Sequence, residues 1–118
     1  MFDSIFNEER NICGIYNFNI VIGENEGHNI PHFHIFDAQS NMCIAIKLDK
    51  PEYFIHGKYT YTLNSKEKKL LVNWLNSSKI TKAIKNFEPK NNWENLVFTW
   101  NVVNNDNINP EQVNYNLL

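Results

Sequence analysis

The sequence predicts an α+β fold, in which an antiparallel β-meander of three to four strands is followed by two to three helices packed on one face of the sheet. Apolar residues recur every second position in the first half of the chain, which is typical of half-buried strands. After residue 64 they recur at helical spacing instead. An order of strands first and helices afterwards is typical of α+β domains.

The chain is long enough to form one domain with its own core. It has 118 residues, of which 42% are hydrophobic and 14% aromatic, so apolar burial can offset the entropy cost of folding. We therefore expect a single domain over residues 1–118, strand-rich over 12–63, helical over 64–104 and irregular over 105–118.

The strands are predicted from alternation and from the turn residues between them. Residues 12–22 alternate as a first strand, and a glycine- and asparagine-rich loop follows them and ends at Pro31. A proline is tolerated at the first position of a strand, so the second strand starts there. Residues 41–48 complete a hairpin with it. A fourth extended stretch is expected over 52–63, interrupted by a turn at 56–58.

Helical spacing of apolar residues begins after Asn64, which forms a plausible capping box with Glu67. A shorter helix is expected from Ser78 to Phe87, because the residue before Pro89 avoids helical geometry. Residues 93–103 fit either a helix or a strand, and their apolar spacing favours a helix.

Large apolar side chains of the helical half are expected in the core rather than at a ligand. This set consists of Trp74, Trp93 and Trp100. The tail is expected to anchor against the body through Tyr115, Leu117 and Leu118. The two cysteines, Cys13 and Cys43, form no CxxC pair and are expected to be reduced and inert.

Charge is unevenly distributed along a chain whose net charge is −2. A basic band lies between residues 64 and 90 and is best interpreted as a solvated helix face; the alternative is a surface for nucleic-acid phosphates. Its members are Lys66, Lys68, Lys69, Lys79, Lys82, Lys85 and Lys90. Because the first ten residues are acidic and no apolar run approaches about 20 residues, we expect a cytoplasmic protein without a membrane partner.

The stretch "GHNIPHFHIF" holds three of the four histidines. His32 and His34 share one face of the predicted strand, Phe33 takes the other, and His28 can join from the preceding loop. Zinc accepts neutral imidazole, and catalytic zinc sites commonly have three protein ligands and a water. Together His28, His32 and His34 form the candidate metal-binding and catalytic set, with a divalent ion such as Zn²⁺ as candidate cofactor.

Spacing alone leaves two other interpretations open. The simpler one is a polar stripe in which His32 and His34 face water or donate to nearby backbone, and the other is an acid-base or phosphate-handling role without metal. The chain has no HExxH, CxxC or P-loop pattern to support a specific reaction. His56 is interpreted as a turn residue rather than as a ligand, because it precedes Gly57.

A resemblance to a known family starts from the segment HNIPHFH at residues 28–34. With the stretches "CIAIKL", "KEKKLLVNWL" and "NNWENL", it resembles the small bacterial family catalogued as domain of unknown function 4160, over approximately residues 12–97. That family has an HNxPHxH segment after its first strand, a meander, and a helix with an LVxxW-like stripe. This chain has Gly27 in place of an acidic residue and Ile30 in place of a second proline.

The resemblance implies an interaction or regulatory role with a small protein partner, in a bacterial or phage module of the toxin-antitoxin-like or mobile-element kind. The recurrence of the histidines in the family pattern implies a joint role for them. The alternative function is a metal-dependent or acid-base hydrolase or nuclease that uses His28, His32 and His34. The residues leave open whether the chain is an enzyme.

Overall fold

A computed structural model describes most of the chain and confirms the α+β class, with an antiparallel sheet and two α-helices. The described residues are 2–3, 18–23, 30–37, 42–80, 87–110 and 114–118.

The strands pair in chain order, and each antiparallel neighbour follows its predecessor in the sequence. Their bounds are β1 Phe2–Asp3, β2 Phe18–Gly23, β3 His32–Asp37 and β4 Met42–Lys47. Strand β3 begins directly after Pro31, as predicted. The earlier part of the predicted first strand, residues 12–17, lies outside the described residues.

The outer edge of β4 is paired with a segment that follows it in the sequence. Lys47 N donates to the Glu52 carbonyl at 2.9 Å, and Phe54 N donates to the Ala45 carbonyl at 2.9 Å. The next hydrogen bond comes from Tyr61 N to the Cys43 carbonyl at 3.2 Å. Residues 55–60 therefore leave the sheet edge between two points of pairing, and we call them the 55–60 loop.

A tight turn closes this loop. His56 and Tyr59 exchange two backbone hydrogen bonds, of 3.3 and 2.8 Å, across the pair Gly57 and Lys58. Gly57 has a φ of 52°, in the left-handed region that favours glycine. The predicted turn at 56–58 is confirmed, and it holds His56 at its first position.

The helices follow the sheet in the sequence. Helix α1 spans Ser65–Asn76, and its predicted capping box is present: the Asn64 side chain accepts from Glu67 N at 2.8 Å, and the Glu67 carboxylate accepts from Asn64 N at 3.0 Å. Helix α2 spans Asn92–Asn104, so the ambiguous segment is a helix, as favoured.

The shorter predicted helix, between Ser78 and Phe87, is not supported where the chain is described. Residues 78–80 and 87 are not helical, and residues 81–86 lie outside the described part. The Asn92 side chain holds the start of α2 close to the end of α1. Its amide donates to the carbonyls of Trp74 at 2.9 Å and Lys79 at 3.1 Å.

One hydrophobic cluster joins sheet and helices. It combines strand residues with helix residues, including Phe33, Ile35, Ile44, Ile46, Leu71, Leu75, Leu96 and Val97. All three tryptophans belong to it, which confirms the prediction that they are core residues. In the tail, Tyr115 is buried and Leu118 packs against the cluster, as predicted, while the Leu117 side chain lies outside the described part. Neither described helix has the length and apolarity required to cross a bilayer.

Candidate metal centre

Strand β3 separates its side chains as the alternation predicts. Phe33 and Ile35 are fully buried in the hydrophobic cluster, so His32 and His34 lie on the other face of the strand. These histidines are nevertheless only 4% and 3% exposed. The part of the simpler interpretation in which these histidines face water is therefore wrong, because other side chains cover this face. Its other part, donation to nearby backbone, is confirmed at His32, whose Nδ1 donates to the Ile30 carbonyl.

His56 completes a cluster with the two strand histidines. Ring nitrogens of His32, His34 and His56 lie within 4.8 Å of one another, and the His56 side chain is half-buried. The ring centroid of His32 lies 4.7 Å from that of His34 and 5.7 Å from that of His56. We call these three residues the histidine cluster.

Backbone carbonyls orient two of the imidazoles. His32 Nδ1 donates to the Ile30 carbonyl at 2.6 Å, and His56 Nδ1 donates to the Phe54 carbonyl at 2.9 Å. A carbonyl oxygen only accepts, so in the neutral ring the proton lies on Nδ1. Metal-binding histidines are commonly held in this way by a backbone carbonyl.

Aromatic side chains surround the cluster. Tyr59 stacks on His34 with ring centroids 4.0 Å apart and planes 5° from parallel. Phe54 stacks on His56 at 4.0 Å, and Trp100 from α2 lies 5.7 Å from His32. These contacts limit the rotation of each imidazole and exclude water from its ring face. An apolar shell of this kind is common around metal sites.

Strand pairing arranges the neighbours of the cluster in two rows across the sheet. In the first row His32 lies opposite Lys47, which in turn pairs with Glu52. In the second row His34 lies opposite Ala45, which in turn pairs with Phe54. Ala45 is 2% exposed, and its short side chain leaves space above β4 for the 55–60 loop to fold toward β3.

The first row contains an ion pair. Lys47 Nζ lies 2.9 Å from Glu52 Oε1, and Lys50 Nζ lies 3.4 Å from the same oxygen. The hydrogen bond between them lowers the pKa of the Glu52 carboxyl and raises the pKa of the Lys47 amine. Both groups are therefore charged at neutral pH. Lys47 lies on the strand beside His32, and Glu52 lies on the segment that pairs with the other edge of that strand.

The structure brings together two of the three predicted site residues. His32 and His34 converge, whereas His28 lies outside the described residues. His56 was assigned to the turn alone, but it also joins the cluster. The sequence held one signal for this: "FIHGKY" places a histidine between aromatics at a glycine turn, where regular alternation stops.

The predicted basic band is exposed for the most part. Lys66, Lys69, Lys79 and Lys90 are exposed, while Lys68 is half-buried. Lys82 and Lys85 lie outside the described residues. Exposure on and beside α1 agrees with a solvated surface.

No protein-family model matches this chain, and no curated protein and no solved structure shows significant similarity to it. Evidence for the site is therefore its own geometry: three converging imidazoles, two of them oriented through Nδ1, in an aromatic environment. Such a donor set fits a borderline-soft divalent ion such as Zn²⁺.

Proposed function

We propose that this chain binds a divalent transition metal, with Zn²⁺ as the leading candidate, through His32, His34 and His56. The observation that carries the proposal is the convergence of three ring nitrogens within 4.8 Å. Neutral imidazole is a common ligand of zinc, and three imidazoles from the protein are a ligand set that zinc accepts.

A metal explains this environment better than acid-base catalysis by the histidines alone. Protonation of one imidazole would place a charge among buried rings, since His32 and His34 are nearly inaccessible to water. No carboxylate belongs to the cluster within the part of the chain that the structure describes. A metal ion needs neutral imidazoles and gains from their fixed orientation.

Catalytic zinc sites commonly have three protein ligands, and His32, His34 and His56 would supply that number. A metal held by these residues would supply Lewis-acid chemistry for the activation of water. We therefore propose hydrolysis as the reaction class. The chain's own contribution is to orient the ligands through the Ile30 and Phe54 carbonyls and to shield them with aromatic rings.

Metal content tests the proposal directly. Elemental analysis of protein purified without chelator should find about one ion per chain, and less than about 0.1 would overturn the proposal. His56→Ala should lose the ion while Thr60→Ala, an exposed position in the same loop, should retain it. Retention of the ion by His56→Ala would remove His56 from the ligand set.

His28→Ala distinguishes the predicted ligand set from the one that the geometry supports. If the ligands are His32, His34 and His56, this variant should keep its metal. If it loses the metal, His28 belongs to the ligand set, and a set of His32, His34 and His56 alone is overturned. Hydrolysis of activated esters by His56→Ala and His28→Ala provides a second measurement: a variant that loses the metal should also lose this activity, and a variant that keeps the metal should keep it.

A second candidate function is the predicted interaction role in a two-protein module of the cytoplasm, as the family resemblance implies. It is favoured by exposed apolar side chains near the cluster, because Ile55 is 55% and Tyr61 is 52% exposed. Co-purification with the product of a neighbouring gene tests it, and a chain that ignores that product would contradict it.

A further inference from the structure

The first cross-strand row continues from the histidine cluster into charged residues. His32 lies directly opposite Lys47, and directly opposed residues of antiparallel strands have Cβ atoms about 4.5 to 5.5 Å apart on the same face. Lys47 is half-buried, with 25% of its side chain exposed, so its position is more restricted than that of a surface lysine. A cationic side chain therefore stands beside the candidate metal ligands.

Two acids act on Lys47. Glu52 is shared by two lysines, at 2.9 Å from Lys47 and at 3.4 Å from Lys50, and Asp49 is a second acid whose charge acts on Lys47. The two positive and two negative charges of this group balance. Attraction of an anion therefore depends on the Lys47 amine itself, which has three N–H donors, one of which Glu52 takes.

We propose that Lys47 is a specificity-determining residue that holds an anionic oxygen of a phosphate-type substrate next to the metal. This inference rests on the proposed metal site and names the substrate class that the site takes. An oxyanion between a divalent ion and a lysine amine is stabilised from both sides, and lysine binds phosphate as a point charge.

The other neighbours of the cluster make a neutral polar substrate a poor alternative. Phe54, Tyr59 and Trp100 supply ring surface, and Ala45 supplies no polar group. Lys58 is the lysine of the 55–60 loop; it is exposed, and its Nζ lies 5.6 Å from the centre of the Tyr59 ring. It provides a natural comparison with Lys47.

Phosphate binding to the metal-loaded chain tests the inference. The protein is loaded with Co²⁺, whose visible absorption reports its coordination, and is titrated with inorganic phosphate. Lys47→Met should weaken phosphate binding about ten- to a hundredfold without changing the Co²⁺ affinity. Glu52→Gln should act in the opposite direction and strengthen phosphate binding, because it releases Lys47 from its carboxylate partner.

Matched variants distinguish an effect specific to Lys47 from the effect of removing one positive charge elsewhere on the protein. Lys69→Met removes an exposed lysine of α1 and should leave phosphate binding unchanged, and Lys58→Met should do the same. Equal losses in the Lys47, Lys58 and Lys69 variants would overturn the inference, as would weaker phosphate binding in Glu52→Gln.

The outcomes also distinguish this inference from the function on which it rests. If Co²⁺ is not bound at all, the metal site and the substrate class both fall. If Co²⁺ is bound but phosphate leaves its spectrum unchanged, or binds Lys47→Met as tightly as the original chain, the metal site stands and only the role of Lys47 is overturned.

Discussion

Gly57 determines how His56 reaches the sheet. Its φ is 52°, and the only other residue with positive φ in the described part is Asn105, so Lys58 has negative φ. Positive φ at the first central residue alone is the pattern of a type II′ hairpin turn, which requires glycine at that position. No heavy atom lies within 4 Å of a Cβ added there, so a substitution meets backbone strain and not a clash.

We expect Gly57→Ala to destabilise the protein by about 1 kcal/mol, since an L side chain in the left-handed region costs about that much. The same change should weaken metal binding, because the strained turn shifts His56 away from the strand histidines. Chemical denaturation and metal titration measure the two effects. Lys58→Ala is the control for the same turn and should change neither; unaltered metal affinity in Gly57→Ala would contradict the role of the turn.

Tyr115 offers a second test at the level of one residue. Its side chain is buried, and its hydroxyl has no hydrogen-bond partner among the described residues. Burial raises the pKa of Tyr115 to about 12, because the ionised form is poorly solvated. Up to the ordinary tyrosine pKa of about 10 the folded and unfolded chains hold this proton equally. As the pH rises from there toward 12, only the unfolded chain loses it, so stability falls.

Tyr115→Phe keeps the ring that packs on Trp93 and removes the hydroxyl. We expect it to raise the free energy of unfolding by about 1 kcal/mol at neutral pH, since a buried unsatisfied group is removed. It should also reduce the loss of stability between about pH 10 and pH 12. Denaturant unfolding across this pH range measures both, and a destabilised Phe variant would reveal a hydrogen bond to the hydroxyl.

Between elements, Ala45 controls the space in which β4 and the 55–60 loop meet. It lies between His34 and Phe54 in the second row and is 2% exposed. Ala45→Leu should overfill this space, at a cost of about 1 to 3 kcal/mol, and should weaken metal binding by moving Phe54 off His56. Ala45→Ser, which adds one atom, is the control and should keep most of the metal affinity. Calorimetric unfolding and metal titration follow the two variants.

The elements that the sequence predicts well are those defined by local pattern. Alternation around Phe33 predicts β3, and the pairing of Asn64 with Glu67 predicts where α1 begins, because each depends on neighbours a few residues away. Residues 93–103 end in β-branched residues, yet apolar spacing identifies them as a helix. Local information was sufficient in these cases.

The part of the site that was missed depends on contacts distant in the sequence. His56 approaches His32 and His34 because the edge of β4 pairs first with Phe54 and then with Tyr61, so the residues between them must leave the sheet. A turn at Gly57 was predictable from its composition, but its direction toward the histidine face was not. Tertiary pairing, not local propensity, sets that direction.

At the scale of the whole molecule, core and candidate site draw on opposite faces of β3. Phe33 and Ile35 pack into the hydrophobic cluster with the helices, while His32 and His34 meet the loop. Trp100 belongs to the hydrophobic cluster and also lies 5.7 Å from His32, so changes at His56, rather than at the strand histidines, should leave the core packing in place. Stability and metal binding can then be measured as separate properties of the same chain.

The two properties are coupled only through the bound ion. Its proposed ligands come from β3 and from the 55–60 loop, more than twenty residues apart, so the unfolded chain cannot match the folded site. A ligand that binds only the folded state stabilises it by about 2.7 kcal/mol at a hundred times its dissociation constant. For a domain of this size, we expect Zn²⁺ at that excess to raise the melting temperature by about 10 °C.

This increase should be reversed by chelator and absent in His56→Ala, whose melting temperature without metal should stay near that of the original chain because the core is unchanged. Tyr115→Phe, altered in the core but not at the site, should keep the full increase. Differential scanning calorimetry with and without Zn²⁺ makes the comparison. An equal Zn²⁺ effect in His56→Ala would mean that the ion binds elsewhere on the chain, and the convergence of the three imidazoles would then serve packing alone.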